Sequence, residues 1–171
     1  LTFSADHLPF GASLVASTGL FTWQPGYTQA GTYNFNLTVS DGVTSATQPV
    51  TFTVNPASAA PEFVQQSGWQ VYDNQLLQFQ ALAFDPNNPN YVPPVRDANG
   101  NLVQLSDRPA TVTVTPIGPL PTGATFDPDT LMFSWTPTFA QVGTTSVSFL
   151  ATDINPAIGS GQYLTDTIAV P

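Results

Sequence analysis

A stretch of 34 residues, Leu8 to Asp41, recurs without a gap 112 positions later as Leu120 to Asp153, with 12 identities. The identities fall in blocks. Leu8-Pro9 and Gly11-Ala12 return as Leu120-Pro121 and Gly123-Ala124. Phe21, Trp23 and Pro25 return as Phe133, Trp135 and Pro137. Gln29, Gly31 and Thr32 return as Gln141, Gly143 and Thr144, and Asp41 and Asp153 close the match. Spacing kept this strictly makes the chain an array of one structural module. The functional question then moves from a catalytic pocket to what a string of modules does.

The module reads as β-structure. In Tyr33–Ser40 the apolar residues Tyr33, Phe35, Leu37 and Val39 alternate with Asn, Asn, Thr and Ser. That pattern puts one face of a strand on a core and the other in water. Thr145–Thr152 repeats it with Val147, Phe149 and Ala151. Val50, Phe52 and Val54 alternate likewise, as do Leu77, Phe79, Ala81 and Ala83, then Val112 and Val114, and Ile168 and Val170. A further strand is expected around Trp69–Val71. Glycine and proline separate the runs at short intervals, and Asn99-Gly100 suits a two-residue hairpin turn. Gly31 and Gly143 occupy equivalent turns. The expected fold is all-β: tandem Ig-like antiparallel β-sandwiches, the first incomplete.

Two domains are expected. Residues 1–56 form the C-terminal part of a sandwich whose early strands are missing, and residues 57–171 form a complete one with an insertion around 87–118. Between them, Asn55–Pro61 reads as a stiff Pro-flanked linker. A partial sandwich exposes an apolar face and an unpaired edge. Either the chain is an excerpt from a longer array, or another chain supplies the missing strands by addition to an open edge.

Composition removes several classes of function. Charged residues make up 8%, lysine is absent, and the net charge is -9. Phosphate recognition needs clustered cations, so nucleic acid is excluded as a partner. No apolar run reaches the ~18 residues a bilayer span requires. The chain does not open on a basic head and apolar run, so no signal peptide is read in it. Without cysteine there are no disulfides or thiolate metal sites. Thr- and Asn-rich polarity with so little lysine reads as extracellular or cell-surface.

Leu120-Pro121-Thr122-Gly123-Ala124-Thr125-Phe126-Asp127, Phe133-Ser134-Trp135-Thr136-Pro137, Gln141-Val142-Gly143 and Ala151-Thr152-Asp153 together resemble the Putative Ig, or dystroglycan-type cadherin-like, repeats of large secreted and cell-surface proteins. Ala83-Phe84-Asp85-Pro86 is similar to the family's Ala-x-Asp-Pro turn. The first copy matches from Leu8, with Leu1–Ala5 as the strand leading in. The resemblance leaves out about Asn87 to Gly118. It implies the sandwich fold and a surface or secreted setting, and it fixes no single role, because such folds host many.

Gly31-Thr32-Tyr33-Asn34-Phe35 has the spacing of a tyrosine corner, in which the hydroxyl bonds back across the turn. Thr145 replaces the tyrosine in the second copy. Trp23 and Trp135 are expected to fill the space between sheets. Calcium is the one cofactor with a chemical case, since carboxylate and amide oxygens are its ligands. The candidates are Asp85 and Asn87 in one loop, Asp97, Asn99 and Asn101 in a second, and Asp153 with Asn155 in a third. The bland alternative is that these residues make turns.

No enzyme is expected. His7 is the single histidine and Glu62 the single glutamate, so neither a repeated Ser-His-Asp triad nor a glutamate pair can be built. Asp127 and Asp129 read as a turn. Asn36-Leu37-Thr38 is a glycosylation sequon on an outward face. The expected function is a structural repeat of an extracellular fibre, stalk or adhesin, whose partners are neighbouring copies or adjacent repeats. The alternative is a glycan- or protein-binding accessory module of a larger secreted enzyme or receptor, on the strength of Trp69, Tyr72 and Tyr91.

Overall fold

A computed structural model describes residues 1–154 and 163–171. Asn155 lies outside the described residues. The chain separates into two units, Leu1–Ala57 and Ser58–Pro171. Every strand pairing is antiparallel, and the described residues contain no α-helix.

The first unit holds β1 (Thr2–Ala5), β2 (Ser13–Leu14), β3 (Phe21–Thr22), β4 (Gly31–Ser40) and β5 (Ser45–Val54). They form a three-stranded sheet in the order β1-β4-β5 and a two-stranded ribbon of β2 and β3. Phe21, Phe35 and Phe52 stack between them, with ring centroids 5.3 to 5.7 Å apart. Phe35, at 6% exposed, and Pro9 are buried, and Phe52 remains 36% exposed.

The second unit holds β6 (Glu62–Phe63), β7 (Leu77–Gln80), β8 (Ala83–Phe84), β9 (Val95–Arg96), β10 (Leu102–Val103), β11 (Val112–Ile117), β12 (Thr125–Asp127), β13 (Met132–Trp135), β14 (Val147–Asp153) and β15 (Thr165–Val170). Two three-stranded sheets, β12-β13-β7 and β11-β14-β15, make the sandwich, with a short β6-β8 pair. The core joins Phe79 of β7, Phe133 of β13, Val112 and Val114 of β11, and Val147, Phe149 and Ala151 of β14. Phe79 stacks on Phe133 at 4.9 Å, and Phe149 meets both edge-on at 6.2 and 6.3 Å. Alternation places these side chains inward, as the two-residue strand period requires.

Three expectations change. Val112–Ile117 is a sandwich strand: β11 pairs with β14 over six residues, so the excursion ends before Val112, not at 118. Pro116 is tolerated because β11 is an edge strand. No strand forms at Trp69–Val71; Trp69 instead lies parallel to Phe79, at 6.2 Å and 7°. Asn99-Gly100 does not make a two-residue turn. The β9-β10 loop runs over residues 97–101, with Asp97 N–H donating to Asn101 O at 2.9 Å and Gly100 N–H to Asp97 O at 3.0 Å. Only Gly100 has positive φ there, at 83°, the pattern of a type I turn closed by a glycine bulge.

Candidate functional site

The repeated motif is a hydrogen-bonded clamp that shares three bonds between the two units, with a fourth, Thr138 Oγ1 to Gln141 Oε1 at 3.0 Å, in the second. In the first, the Trp23 indole N–H and the Gln29 amide both donate to Phe10 O, at 3.2 and 3.0 Å. In the second, Trp135 and Gln141 donate to Thr122 O at the same two distances. The glutamine's own oxygen accepts a backbone N–H three residues back, from Gly26 at 2.8 Å and Thr138 at 2.9 Å. The receiving carbonyl sits in the Leu-Pro-x-Gly turn. Ala12 N–H closes that turn on Pro9 O, and Ala124 N–H on Pro121 O. Gly11 and Gly123 have φ of 81° and 83°, open to glycine at little cost. The tryptophan and glutamine of each repeat thus tie the Leu-Pro-x-Gly turn to the loop that follows the tryptophan strand.

This clamp revises the tryptophan expectation. Trp23 and Trp135 are half-buried and bond through the indole N–H; Trp135 also packs against the core that Phe79, Phe133 and Phe149 fill. The glutamines were present in the repeat as identities, but only the three-dimensional turn reveals their bonding. Tyr33 Oη donates to Gln29 O at 2.9 Å, and its ring meets Trp23 edge-on at 4.7 Å. With Thr145 in that place, β14 starts only at Val147, whereas β4 starts at Gly31. Gly143 therefore precedes its strand while Gly31 opens one.

A further substitution trades volume between strand and turn. Gly19 and Leu131 are equivalent and both have positive φ, 74° and 59°. A Cβ on Gly19 would meet the Phe3 ring at 3.0 Å. Phe3 pairs with Val39, and Val114 pairs with the equivalent Ala151. Phe3 with Gly19 in one unit thus corresponds to Val114 with Leu131 in the other.

The oxygen-rich candidates divide into two places. Asp85 (3% exposed) and Asp153 (1% exposed) are both buried, and Thr111 is bonded to Asp85 and to the residue after Asp153. Thr111 Oγ1 donates to Asp85 Oδ2 at 2.8 Å, and Thr111 O accepts Ile154 N–H at 2.7 Å. Asn87 N–H donates to Asp85 Oδ1 at 2.7 Å, while Asn87 Oδ1 accepts Ala59 N–H at 3.0 Å. Asp97, Asn99 and Asn101 sit together in the β9-β10 hairpin. There Asp97 Oδ1 accepts the N–H groups of Asn99 and Asn101 at 2.8 and 2.9 Å. The Asn101 backbone bond, first among several, holds the Asp97 carboxyl below the ordinary aspartate value. Among the described residues no three His, Cys, Asp or Glu converge as a metal group.

Asp127 and Asp129 do more than turn the chain. Arg96 reaches them from the hairpin, Nε to Asp127 Oδ2 at 2.6 Å and Nη2 to Asp129 Oδ2 at 3.0 Å. Chiefly through that Arg96 hydrogen bond, the Asp127 pKa is lowered to about 2. Composition alone hid this, because the aspartates and the arginine lie 31 and 33 positions apart. His7 is 84% exposed and 3.6 Å from Asp6. Asn36, the sequon residue, donates from Nδ2 to Asp6 Oδ2 at 2.9 Å.

At the end of the second sandwich, a cavity of about 770 Å³ is lined by Trp69, Tyr72, Trp135, Thr145 and Pro171, with Phe133 at its base. Trp69 is 46% and Tyr72 78% exposed there; Tyr91 lines a different surface.

Comparison with known proteins gives the following. The family model described as Putative Ig domain matches residues 1–55 and 80–169, the second match running through 87–118. No curated protein matches the chain. Similar solved structures include mouse cadherin-23 EC22-24, at 15% identity and TM-score 0.46, covering 99% of this chain and 50% of that one. Human protocadherin-24 EC1-2 (form II) is 12% identical at TM-score 0.40, covering 99% and 78%. The endo-fucoidan hydrolase MfFcnA4 from glycoside hydrolase family 107 is 16% identical at TM-score 0.39, covering 99% and 22%. The chain thus spans about half of the cadherin-23 fragment and about a fifth of the hydrolase. With both copies of its clamp inside the matched residues, the chain belongs to the Putative Ig domain family.

Proposed function

We propose that the chain is a structural repeat of an extracellular or cell-surface fibre, stalk or adhesin, acting through contacts between β-sandwich modules. The observation that carries this reading is the clamp, which braces the same loops with the same bonds in two successive units. A repeated brace holds modules in shape and contributes no reactive group. Among the described residues no helix is long and apolar enough to cross a membrane. Antibody labelling of the intact source cells, followed by electron microscopy, tests the proposal. Label along extended surface or secreted strands supports it, and label confined to the cell interior contradicts it.

The domain assignment belongs to the same proposal: residues 1–56 are the C-terminal part of one sandwich, and residues 57–171 are a second sandwich. Calcium enters only through donor chemistry at Asp85, Asn87 and Asp153, or at Asp97, Asn99 and Asn101. A folded-state ligand raises the melting temperature by mass action. A rise in millimolar calcium that chelator reverses supports the site; identical melts remove it.

A second reading, a glycan-binding accessory module, is favoured by the exposed faces of Trp69 and Tyr72 at the cavity. Glycan-array binding lost in Trp69→Ala with the melt retained supports it. An array without signal ends it.

A further inference from the structure

In the second unit the two faces of the β12-β13-β7 sheet differ in character. Leu77, Phe79, Phe133 and Trp135 turn towards the core. The two-residue strand period turns Gln78, Gln80, Met132 and Ser134 to the opposite face. Register sets that face in two rows: Thr125, Ser134 and Gln78 in one, Asp127, Met132 and Gln80 in the next. A cleft of about 440 Å³ is lined by these rows and, from the hairpin segment, by Pro94, Val95 and Arg96. Its size falls in the roughly 300–1,000 Å³ range of small-ligand clefts. It shares no residue with the Trp69 cavity.

The cleft is built by a departure from the repeat. Arg96 is tied to Asp127 and Asp129, and the equivalent positions of the first unit are Val15 and Ser17. The carboxylates that hold Arg96 in place are therefore special to the second copy. The tie also decides the charge of the cleft. Arg96 Nε and Nη2 are spent on the two aspartates, and Nη1 donates to Gly100 O at 3.0 Å. Arg96 is the one cation in the lining, so an incoming anion meets no uncommitted positive group.

What remains is neutral. Gln78 Nε2 donates to Ser134 Oγ at 2.9 Å, and Gln80 Nε2 to Thr130 O at 2.8 Å. Among the described residues neither amide oxygen accepts a bond, so two acceptors are left for a ligand's donors. Ser134 accepts through its oxygen and keeps its O–H to give. Thr125, exposed, adds a second hydroxyl. Met132 lies half-buried among them, and Val95 is 44% exposed. We propose that this cleft binds a neutral carbohydrate chain. Its hydroxyls bond Gln78, Gln80, Ser134 and Thr125, and a C–H face of a sugar ring rests on Met132 and Val95. A peptide suits the cleft less. β13 is paired along both edges, so the floor offers side chains and no open backbone groups, whereas extended peptides are held on sheets by main-chain bonds. The assignment goes beyond the repeat-module reading and stands apart from the Trp69 cavity.

The test titrates the isotope-labelled full chain with neutral oligosaccharides of glucose, mannose, galactose and xylose, one at a time, and with an oligogalacturonate. The side-chain amides of Gln78 and Gln80 are read by NMR. At least one neutral oligosaccharide should shift both amides saturably. Gln78→Ala and Thr125→Val change exposed positions, and an unchanged melt checks that each folds. Each should weaken binding about tenfold, the loss of about one hydrogen bond. No saturable shift with any neutral sugar overturns the proposal, as do shifts confined to the Trp69 indole or affinity kept in both variants. Tighter binding of the oligogalacturonate overturns it too. Surface labelling is untouched by any of these outcomes, so the carbohydrate claim and the fibre reading fail separately.

Discussion

The two units solve their loops in the same way and their cores differently. Each clamp has a Trp and a Gln on one carbonyl, at matching distances. Yet the second unit buries three phenylalanines to 6% exposure or less, while the first buries one. Local polar satisfaction is therefore written into each repeat. Core closure depends on a strand that the second unit carries and the first lacks among the described residues. A motif can fix the shape of a module's end without fixing whether the module is closed.

The largest expected break in this comparison comes from truncating equivalent phenylalanines. Phe133→Ala should cost about 3–5 kcal/mol, the usual cost of emptying a packed aromatic site. Phe21→Ala should cost about 1–2 kcal/mol, since a half-buried ring loses less transfer energy. Urea titration followed by residue-resolved NMR separates the two units. Equal costs would mean that both cores are closed alike.

A smaller effect tests the volume exchange between strand and turn. Gly19→Leu forces a side chain against the Phe3 ring and should destabilise the first unit by about 1–3 kcal/mol. Adding Phe3→Val reproduces the Val114 and Leu131 pair and should recover part of that loss. A double-mutant cycle checks this; strict additivity would refute the exchange. Smaller still, Gln29→Ala and Gln141→Ala should each cost about 1–2 kcal/mol, because each glutamine loses both its donated and its accepted bond, net of solvation. Their costs should be similar, because the clamps are alike. A cost in only one unit would show that the shared geometry is not shared energetics.

The smallest effect lies in acid. Asp127 is lowered in the folded chain from 3.8 to about 2. Stability from the pair is thus present above the unfolded value and lost as pH falls through that window. The exposed setting keeps the effect modest. Arg96→Ala should flatten the decline in melting temperature between those two values. An unchanged decline would separate the hairpin from its aspartates.

Much of this was legible in the chain. Alternation placed Phe35, Phe79, Val114 and Phe149 inward, because strand period is a one-dimensional signal. Gly31-Thr32-Tyr33 disclosed the tyrosine bond through spacing alone. The Arg96 pair and the Thr111 bridge were not legible, because they join segments whose separation has no period. The alternation of Val112 and Val114 marks a strand, but the pairing of Val112–Ile117 with β14 joins positions about 35 apart and carries no local signal, so the insertion's end at Val112 was not legible. Asn99-Gly100 misled because the dipeptide does not fix loop length; Asp97, capping two amides, does.

The most direct test of the central claim is native-state amide exchange at Phe21 and Phe133 in the unaltered chain, at a concentration where it is monomeric. An open β3 edge predicts that Phe21 exchanges much faster than Phe133, even though the Trp23 and Trp135 indoles are equally protected. Equal protection of the two phenylalanine amides would contradict it.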